Sequence, residues 1–480
     1  MGRGFATRSL ISAGALAAVT IAASAGCTSG NTSTATAAGH PPTSAGTASA
    51  TGAAPPSLSE RALASPGCSS ATAPGSPLHA VGTAEVTTGG SPFGIAATPD
   101  GRWAFAVTES GPGPAAASSV EVLSLNTGPG KAAAPRVTKV RSIPLPTTPG
   151  TAGLAAGVGT PAGAAMTPDG KYLVIAKGSG VMVLSTARAE TGAAGTVLGS
   201  LTVPKSGSGA NRPIGGAIEV AVTPDSRFVV VTLEDDAEAA VYNLAAALAH
   251  GFGAADYVGA IPLGQAPVGL AVSSDGRWLY ATSESAAPGQ HPVGLANSGS
   301  NGCGTSVPGT ARNEPPGTLT VVDLRRAETD PAHAVTAVAQ AGYQPVRVVT
   351  SADGTQVWVT ARASDAVLCF SAARLAADPK QALVAVVRVG SEPVGLASVR
   401  GGTLIVVADS NRFAASGESS SLSVVSVAAA LAGRPAVVGN LTTGMFPRDM
   451  AVSPDGTLLV SDYASGQVQA IATGGLPASG

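Results

Sequence analysis

A ten-residue pattern that recurs along the chain constrains the fold more than any other feature of the sequence. It reads Pro-x-x-x-(small or apolar)-x-(Ser/Thr)-Pro-Asp-Gly, and its first copy occupies positions 92–101. Seven copies are present, and their aspartate position recurs at intervals of 69, 56, 50, 78, 48 and 54 residues. The third copy has Ala217 in place of the first proline, and the sixth has Gly401 at the aspartate position. A repeat of this length predicts an array of similar structural units.

Each copy predicts a β-hairpin. Proline presets φ, aspartate bonds nearby backbone amides and glycine accepts a positive φ, so Pro-Asp-Gly favours a tight turn. Short apolar segments flank the turn, as at 270–273 and 278–282, and a third and a fourth apolar segment follow before the next copy. Units of four strands, repeated seven times, predict an all-β, seven-bladed β-propeller over residues 79–474. A β-helix or an open solenoid is the alternative, but four-stranded repeats of about 50 residues favour the propeller.

The two ends of the repeat region predict how the ring closes. Blade seven has no fourth strand of its own after Ile471, whereas residues 80–87 form a strand with no earlier blade to join. Pairing that strand with blade seven removes the open edge, so we expect it to complete the last blade. Ala/Leu-rich segments between third and fourth strands predict single helical turns at 244–248, 372–377 and 428–431.

The N-terminus predicts export from the cytoplasm. Arg3 and Arg8 precede an apolar run at 10–25 that ends in Ser-Ala-Gly-Cys27, which is typical of a cleaved signal over residues 1–26. Small residues before a cysteine resemble the bacterial lipobox, although Ser24 replaces its usual leucine. The alternatives are a lipidated Cys27, anchored to the outer face of the membrane, and a simple secretory signal.

Composition separates the folded region from its flanks and excludes one class of partner. Residues 27–78 are almost entirely Ser, Thr, Ala, Gly and Pro, which predicts a disordered tether, and residues 475–480 form a C-terminal tail. The net charge is −2 and 12% of residues are charged, so the chain lacks the basic footprint of a nucleic-acid-binding protein. We expect an extracytoplasmic monomer.

The repeat resembles the YVTN-type β-propeller repeats, which are related to the lactonase-like propellers. The elements that carry the resemblance are Val-Val-Asp-Leu at 321–324, Ser-Pro-Asp-Gly at 453–456, and Pro-x-Gly at Pro267 and Pro393. The tetrapeptide itself is degenerate, as in Phe105-Ala-Val-Thr and Tyr280-Ala-Thr-Ser. The resemblance implies the propeller fold and leaves the function open, because propellers support many unrelated activities.

The residue two places after the motif's first proline is glycine in four blades and charged in the other three. The charged residues are Glu219, Arg347 and Asp449, and we expect them to converge near the mouth of the central channel. An acid–cation–acid cluster can bind a polar ligand or a metal, or provide acid–base groups. The alternative is a structural ion-pair network. Arg448 and Arg212 are further candidates for the same rim.

Long loops and cysteines add two more expectations. The connections between second and third strands are long at 110–119, 283–317 and 410–420, all on the face opposite the Pro-Asp-Gly turns, which favours that face for recognition. Cys68 and Cys303 can form a disulfide in an oxidising compartment, the alternative being two free or separately paired thiols. Cys369 lies in an apolar strand and is interpreted as a buried small hydrophobe.

Two functions fit these observations. The first is a non-catalytic ligand- or protein-binding scaffold that uses the long-loop face. The second is a lactonase-like hydrolase acting on a sugar lactone at the central channel, although no lactonase catalytic residue can be matched by motif. The sequence contains no cofactor motif, and its histidines are not spaced as paired metal ligands, so we predict no cofactor and no metal site.

Overall fold

The computed structural model describes residues 57–63, 74–109, 118–126, 133–146, 160–204, 215–289, 315–412 and 420–478. These residues form seven four-stranded antiparallel sheets arranged as the blades of a β-propeller, which confirms the predicted fold. Each first strand contacts the first strands of both neighbouring blades, so the seven first strands surround a central channel. Among the described residues, no helix is long and apolar enough to span a membrane.

The strands occupy equivalent places in every blade, numbered outward from the channel. The first strands are β2 (Ser91–Ala97), β6 (Pro161–Met166), β10 (Ala217–Val222), β14 (Gln265–Val272), β18 (Pro345–Thr350), β22 (Pro393–Val399) and β26 (Pro447–Val452). The second strands are β3 (Trp103–Glu109), β7 (Tyr172–Lys177), β11 (Phe228–Leu233), β15 (Trp278–Ser285), β19 (Gln356–Ala361), β23 (Leu404–Asp409) and β27 (Thr457–Asp462). The third strands are β4 (Ser119–Asn126), β8 (Gly180–Ser185), β12 (Glu238–Asn243), β16 (Thr318–Asp323), β20 (Ala366–Ser371), β24 (Ser421–Ser426) and β28 (Gln467–Ala472). The fourth strands are β5 (Arg136–Pro144), β9 (Val197–Thr202), β13 (Tyr257–Pro262), β17 (Val335–Gln340), β21 (Leu383–Arg388), β25 (Val437–Thr442) and, in blade seven, β1 (Thr83–Thr87).

Ring closure occurs as the sequence predicts. Strand β1 pairs antiparallel with β28, with Thr83 opposite Ile471 and Thr87 opposite Gln467. The strand that opens the propeller therefore completes its last blade, and hydrogen bonds rather than side-chain packing alone hold the two ends of the ring together.

Short helices join third to fourth strands at the three predicted places and at two more. These helices are α2 (Thr186–Thr191), α3 (Leu244–His250), α4 (Leu324–Ala327), α5 (Ala372–Ala377) and α6 (Val427–Leu431). Each is capped by the last residue of the preceding strand, whose side chain accepts a hydrogen bond from a backbone amide, as Asn243 does from Ala246 at 2.9 Å. Their role is to turn the chain at the edge of the sheet.

The second and third strands are buried on both faces because neighbouring blades cover them. All six residues of β11 are buried, for example. Between blades four and five, Tyr280 and Leu319 pack against Val357 and Val359 in one apolar cluster. Such strands read as continuous runs of β-branched and small residues rather than as an alternating pattern.

Part of the segment expected to be a disordered tether, residues 27–78, is ordered in the structure. Residues Leu58–Leu63 form α1, in which Ala62 is fully buried and its carbonyl accepts a hydrogen bond from Ser364 Oγ at 2.8 Å. Leu58 packs on the same apolar cluster as Ala62, since residues four apart share one helix face. This apolar pair within a polar segment is the physical reason for the difference. Farther along, Leu78 N donates to Asn440 O at 2.8 Å, which covers the outer edge of blade six.

The Ser/Thr and Asp positions of the motif form one hydrogen-bonded turn. In blade one, Thr98 Oγ1 donates to Asp100 Oδ1 at 2.6 Å, and the amide of Trp103 donates to Thr98 Oγ1 at 3.1 Å. Gly101 has a φ of 70°, which suits glycine. The same hydroxyl–carboxylate bond recurs in five other blades, at Thr167–Asp169, Thr223–Asp225, Ser273–Asp275, Ser351–Asp353 and Ser453–Asp455.

Replacing the buried hydroxyl of this turn by a methyl group should weaken the hairpin without changing its shape. We expect Thr98→Val to lower the free energy of unfolding by about 1–2 kcal/mol, because the Trp103 amide loses its acceptor. Chemical denaturation monitored by circular dichroism measures the change. Blade six provides the matched control, since Val399 already occupies this position and Gly401 offers no carboxylate. Val399→Thr should give no gain, and a gain equal to the Thr98→Val loss would contradict the explanation.

Candidate functional site

A bulge in every first strand brings two successive motif residues to the channel. The pairing of first and second strands shifts register just after the motif proline in all seven blades. A bulge re-aims the side chains beside it, so neighbouring rather than alternate residues face the same side. Val346 and Arg347, adjacent in sequence, accordingly line one cavity. The first and second residues after the proline thus form two stacked rings in the channel.

The lower ring contains the three charged residues that the sequence singles out, and the structure brings them together. Arg347 Nη2 lies 3.1 Å from Glu219 Oε2, and Arg347 Nε lies 3.5 Å from Asp449 Oδ1. The side chains are 8%, 11% and 14% exposed for Arg347, Glu219 and Asp449 respectively. We call these three residues the channel triad. Its guanidinium bridges two carboxylates across the channel, an ion-pair arrangement that leaves no space between the charged groups for a substrate.

Backbone groups and glycines complete the triad's surroundings. Arg347 Nη1 donates to Val268 O at 3.2 Å, and the amide of Ile95 donates to Asp449 Oδ2 at 3.2 Å. The remaining members of the lower ring are glycines because the blades approach too closely for a side chain. A Cβ on Gly269, for example, would lie 2.2 Å from Val346 O. Burial raises the pKa of Glu219 to about 7; Arg347 opposes this shift and Asp449 adds to it.

The upper ring is apolar apart from one arginine. Its residues Ile218, Val268, Val346 and Val394 pack together, and Phe93 and Arg448 continue the ring. Above the triad this ring surrounds a funnel with roughly 410 Å³ free of protein atoms, part of it open to solvent. About 50 Å³ of that space is accessible to the centres of water-sized molecules. The funnel therefore has room for several waters or a small ligand.

Charged side chains stand around the funnel rim. Arg362 Nη2 lies 3.0 Å from both Glu284 carboxylate oxygens and donates to Gln344 Oε1 at 3.0 Å. Glu234, Arg412 and Phe446 also line the funnel. The rim thus combines one fixed ion pair with further charges of both signs.

Arg448 is held by aromatic rings. Its guanidinium carbon lies 3.6 Å from the centroid of the Phe93 ring and 5.3 Å from those of Phe446 and Tyr463. Tyr463 in turn donates its hydroxyl to Glu109 Oε2 at 2.5 Å. Among the described residues, the Arg448 guanidinium has cation–π contacts but no hydrogen-bond acceptor. Burial lowers the pKa of Arg448 to about 10; Glu109 opposes this shift, and Arg412 and Arg347 add to it.

Several residues before the motif proline adopt an unusual backbone conformation at this mouth. The residues with positive φ at this position are Ala266 (50°), Gln344 (48°), Glu392 (52°) and Phe446 (52°). Non-glycine residues in the left-handed region are strained, and such strain concentrates at functional sites. Two of these residues, Gln344 and Phe446, place their side chains at the funnel rim.

The rim residues are the part of the site that sequence reasoning missed. Three of them, Glu234, Glu284 and Arg362, follow directly after the second-strand residue that pairs with the motif's first position. Glu109 and Tyr463, beside Arg448, occupy the same place in blades one and seven. Aligning the seven repeats at this position gives Glu, Gly, Glu, Glu, Arg, Ser and Tyr. That charged and polar variation within an otherwise apolar strand is the signal that would have found them.

Other predicted site residues fall outside the described part of the chain. They are Arg212, Cys27, Cys68 and Cys303, together with most of the three long loops. Cys369 is described and is a buried free thiol whose pKa is raised by burial, as expected of a small hydrophobe. Within the described ranges, no group of three or more His, Cys, Asp and Glu side chains is placed to hold a metal ion.

Buried carboxylates fix the connections that lead from fourth strands into the funnel. Asp409 accepts hydrogen bonds from Gly390 N at 3.0 Å and Ser423 Oγ at 2.7 Å, and Asp462 accepts from Gly444 N at 3.0 Å. Burial raises the pKa of Asp409 to about 7 and that of Asp462 to about 6. These groups hold protons in the folded protein at pH values where the unfolded chain has lost them.

Comparisons with known proteins agree with the fold and go no further. No protein-family profile matches the chain, and no curated protein is similar to it in sequence. Among solved structures, the chain is similar to Kuenenia stuttgartiensis hydrazine synthase, with a TM-score of 0.52 and 15% sequence identity. The match covers 79% of this chain and 94% of that one. A likeness at this identity shows the propeller architecture alone.

The channel triad should contribute to stability as a unit. We expect Arg347→Met to lower the free energy of unfolding by about 3–5 kcal/mol, because it leaves two carboxylates buried without a cation. Adding Glu219→Gln and Asp449→Asn to that variant should recover most of the loss. Denaturant titration measures both changes, and Arg325→Met, at an exposed arginine, is the control. Equal losses in the single and the triple variant would show that the charges do not act together.

The buried carboxylates predict that stability falls as pH rises through the neutral range. The pKa values of Glu219, Asp409 and Asp462 lie above their ordinary values, so the folded state binds more protons than the unfolded state between about pH 4 and pH 7. Unfolding free energy should therefore decrease from about pH 5 to about pH 7.5. Below this window the trend should reverse, since the Thr98 hydroxyl lowers the pKa of Asp100 to about 2.

The measurement is denaturant unfolding at several pH values. Asp409→Asn should flatten the slope, whereas Asp378→Asn, at an exposed carboxylate far from the three buried ones, should leave it unchanged. Stability that rises steadily from about pH 5 to pH 7.5 would contradict this assignment.

Proposed function

We propose that this protein is a non-catalytic binding module that works outside the cytoplasm and binds its ligand in the funnel of the long-loop face. In this proposal, the chain is a YVTN-type repeat propeller and a lipoprotein held at the outer face of a membrane by Cys27. The N-terminal export pattern and the motif resemblance support the location and the family, and the funnel supports the mode of action.

One observation carries the proposal. The groups that would perform acid–base chemistry in the channel, Glu219 and Asp449, are both engaged by Arg347 and largely buried. Catalysis by a carboxylate needs that group within reach of a substrate proton, and the channel triad leaves no space for one. Above the triad, an open funnel combines an apolar wall with convergent charges, which is the usual composition of a small-molecule binding site.

The backbone at the mouth agrees with this proposal. Gln344 and Phe446 have positive φ values, a backbone conformation that non-glycine residues rarely adopt. Both contribute to the funnel rim. Strain of this kind persists only where the surrounding structure over-determines it. A rigid ring with a pre-formed mouth loses little freedom on binding, which favours affinity for a small ligand.

A funnel-filling variant tests the binding function. Equilibrium dialysis of the protein against a mixture of small polar metabolites, followed by mass spectrometry, should show enrichment of at least one compound. Val346→Trp should abolish the enrichment, because the indole occupies the funnel. Val452→Trp is the matched control, since Val452 is 37% exposed in the second half of a first strand. Thermal melting confirms that both variants fold. Absence of any enrichment in the wild type, or enrichment that survives Val346→Trp, would refute the proposal.

The hydrolase alternative is tested on the same protein. Hydrolysis of a sugar lactone should proceed at the background rate in the wild type and in Glu219→Gln alike. Hydrolysis above background that disappears in Glu219→Gln would replace the binding function with the enzymatic one.

A further inference from the structure

We propose that the funnel ligand is a small zwitterion, whose carboxylate contacts Arg448 and whose ammonium group contacts Glu234. This inference rests on the proposed binding function and specifies its ligand class. Its basis is two side chains of opposite charge that line the same cavity without bonding to each other or to another described side chain.

The first of these groups is the Arg448 guanidinium. It lies against the Phe93 ring at 3.6 Å in a half-buried position, and its N–H groups have no acceptor among the described residues. A guanidinium carries five N–H donors, and leaving them unsatisfied away from bulk water is costly. The Phe93 ring stabilises the positive charge on one face of the guanidinium. The N–H groups at the edge of the guanidinium stay free to bind an anion. A planar fork of this kind matches a carboxylate in a bidentate manner.

The second group is the Glu234 carboxylate. Glu234 begins the 3-10 turn Glu234–Asp236, where its amide donates to Gly216 O at 2.9 Å and its side chain lines the funnel. The carboxylate accepts no hydrogen bond from any described residue. Burial raises its pKa, Glu284 and Asp235 add to that shift, and Arg448 and Arg362 oppose it without forming an ion pair with the carboxylate. The cost of burial and the repulsion from the neighbouring carboxylates are both relieved when a cation binds beside the Glu234 carboxylate.

Two other arginines at the funnel already form ion pairs. Arg362 pairs with Glu284, and Arg347 pairs with Glu219 and Asp449. Arg412 stacks over the Phe446 ring at 5.5 Å. A simple anion at Arg448 would leave Glu234 facing it with a repulsive charge, and a simple cation at Glu234 would face Arg448. A ligand that carries both charges avoids both penalties.

The ring geometry separates the two charges across the funnel. Glu234 belongs to the second-to-third-strand connection of blade three, and Arg448 belongs to the first strand of blade seven. In a ring of seven blades these two lie on opposite sides of the channel. Between them the wall consists of Val268, Val346 and Val394. The matching ligand therefore has its ammonium and carboxylate groups joined by a short apolar chain.

A series of ω-amino acids from glycine to 6-aminohexanoate tests the inference by isothermal titration calorimetry. Affinity should pass through a maximum at one chain length, because only that length reaches both charges. Butyrate and butylamine, which carry one charge each, should bind more weakly than the best member of the series. Glu234→Gln and Arg448→Gln should each weaken that member by about tenfold or more, the effect of losing one charge-assisted contact.

Matched controls separate a local effect from a global one. Arg325→Gln and Glu85→Gln remove exposed charges away from the funnel and should leave the affinity unchanged. Arg448→Lys keeps the charge but loses the planar fork, so it should fall between the wild type and Arg448→Gln. Thermal melting of each variant verifies folding.

The outcomes distinguish this inference from the proposed function. Equal binding of butyrate and the best amino acid, or an unchanged affinity in Glu234→Gln, would overturn the zwitterion. If no member of the series binds while another metabolite is enriched in a Val346-dependent manner, the ligand class is wrong and the binding function stands. If the dialysis experiment itself enriches nothing, the binding function fails first.

Discussion

The pairing of β1 with β28 is the interaction on which the rest of the molecule depends. Blade seven supplies only three strands of its own, and Thr83–Thr87 provides the fourth from the other end of the repeat region. Without that pairing the first and last blades would meet only through side chains, and two sheet edges would stay open. With it, each of the seven first strands contacts the first strands of its two neighbouring blades, and together they form a closed circle. The channel, its triad and its funnel exist because that circle is closed.

Ring closure brings the first strands close together around the central channel, and this close approach determines which side chains fit there. Where blades approach most closely, at Gly94, Gly163 and Gly269, a side chain does not fit. Blades three, five and seven instead carry charged side chains at this position, and Glu219 Oε1 lies 2.7 Å from where a Cβ on Gly163 would stand. A lone charge there would be expensive to bury, and a guanidinium shared by two carboxylates offsets much of that cost. The bulge after each motif proline then brings the next layer into the same channel, where a mostly apolar ring surrounds the funnel and Arg347 of the triad forms part of its lining.

The sequence predicts those features that depend on local chemistry, and it misses those that depend on strand register. The Pro-Asp-Gly turns and the four-strand repeat are recognisable from short stretches of sequence. The number of blades, the closure of the ring and the short helices can therefore be predicted. Glu219, Arg347 and Asp449 are found because one motif position departs from glycine. Glu234 and Arg362 lie outside the motif, and their place at the rim follows only from which second-strand residue pairs with the motif's first position. The aromatic surroundings of Arg448 involve Phe93 from blade one and Tyr463 from blade seven, a contact made by ring closure. Helix α1 is missed because one apolar pair in a Ser/Ala-rich segment is too weak a signal alone.

The two rings and the rim show how a repeated unit acquires a specific site. Every blade contributes the same backbone positions, so the fold fixes where a side chain stands and leaves its chemistry free. A symmetric set would produce a symmetric channel, with like charges facing each other at a cost. This chain instead places acid, cation and acid in alternate blades of the lower ring, and sets a single arginine within the apolar upper ring. The triad carries two carboxylates for one guanidinium, and burial raises the pKa of Glu219 to about 7. Arg448 lines the funnel above it, with its guanidinium carbon 3.6 Å from the centroid of the Phe93 ring. The asymmetry of the charges, rather than the symmetry of the fold, is therefore what distinguishes one side of this mouth from the other.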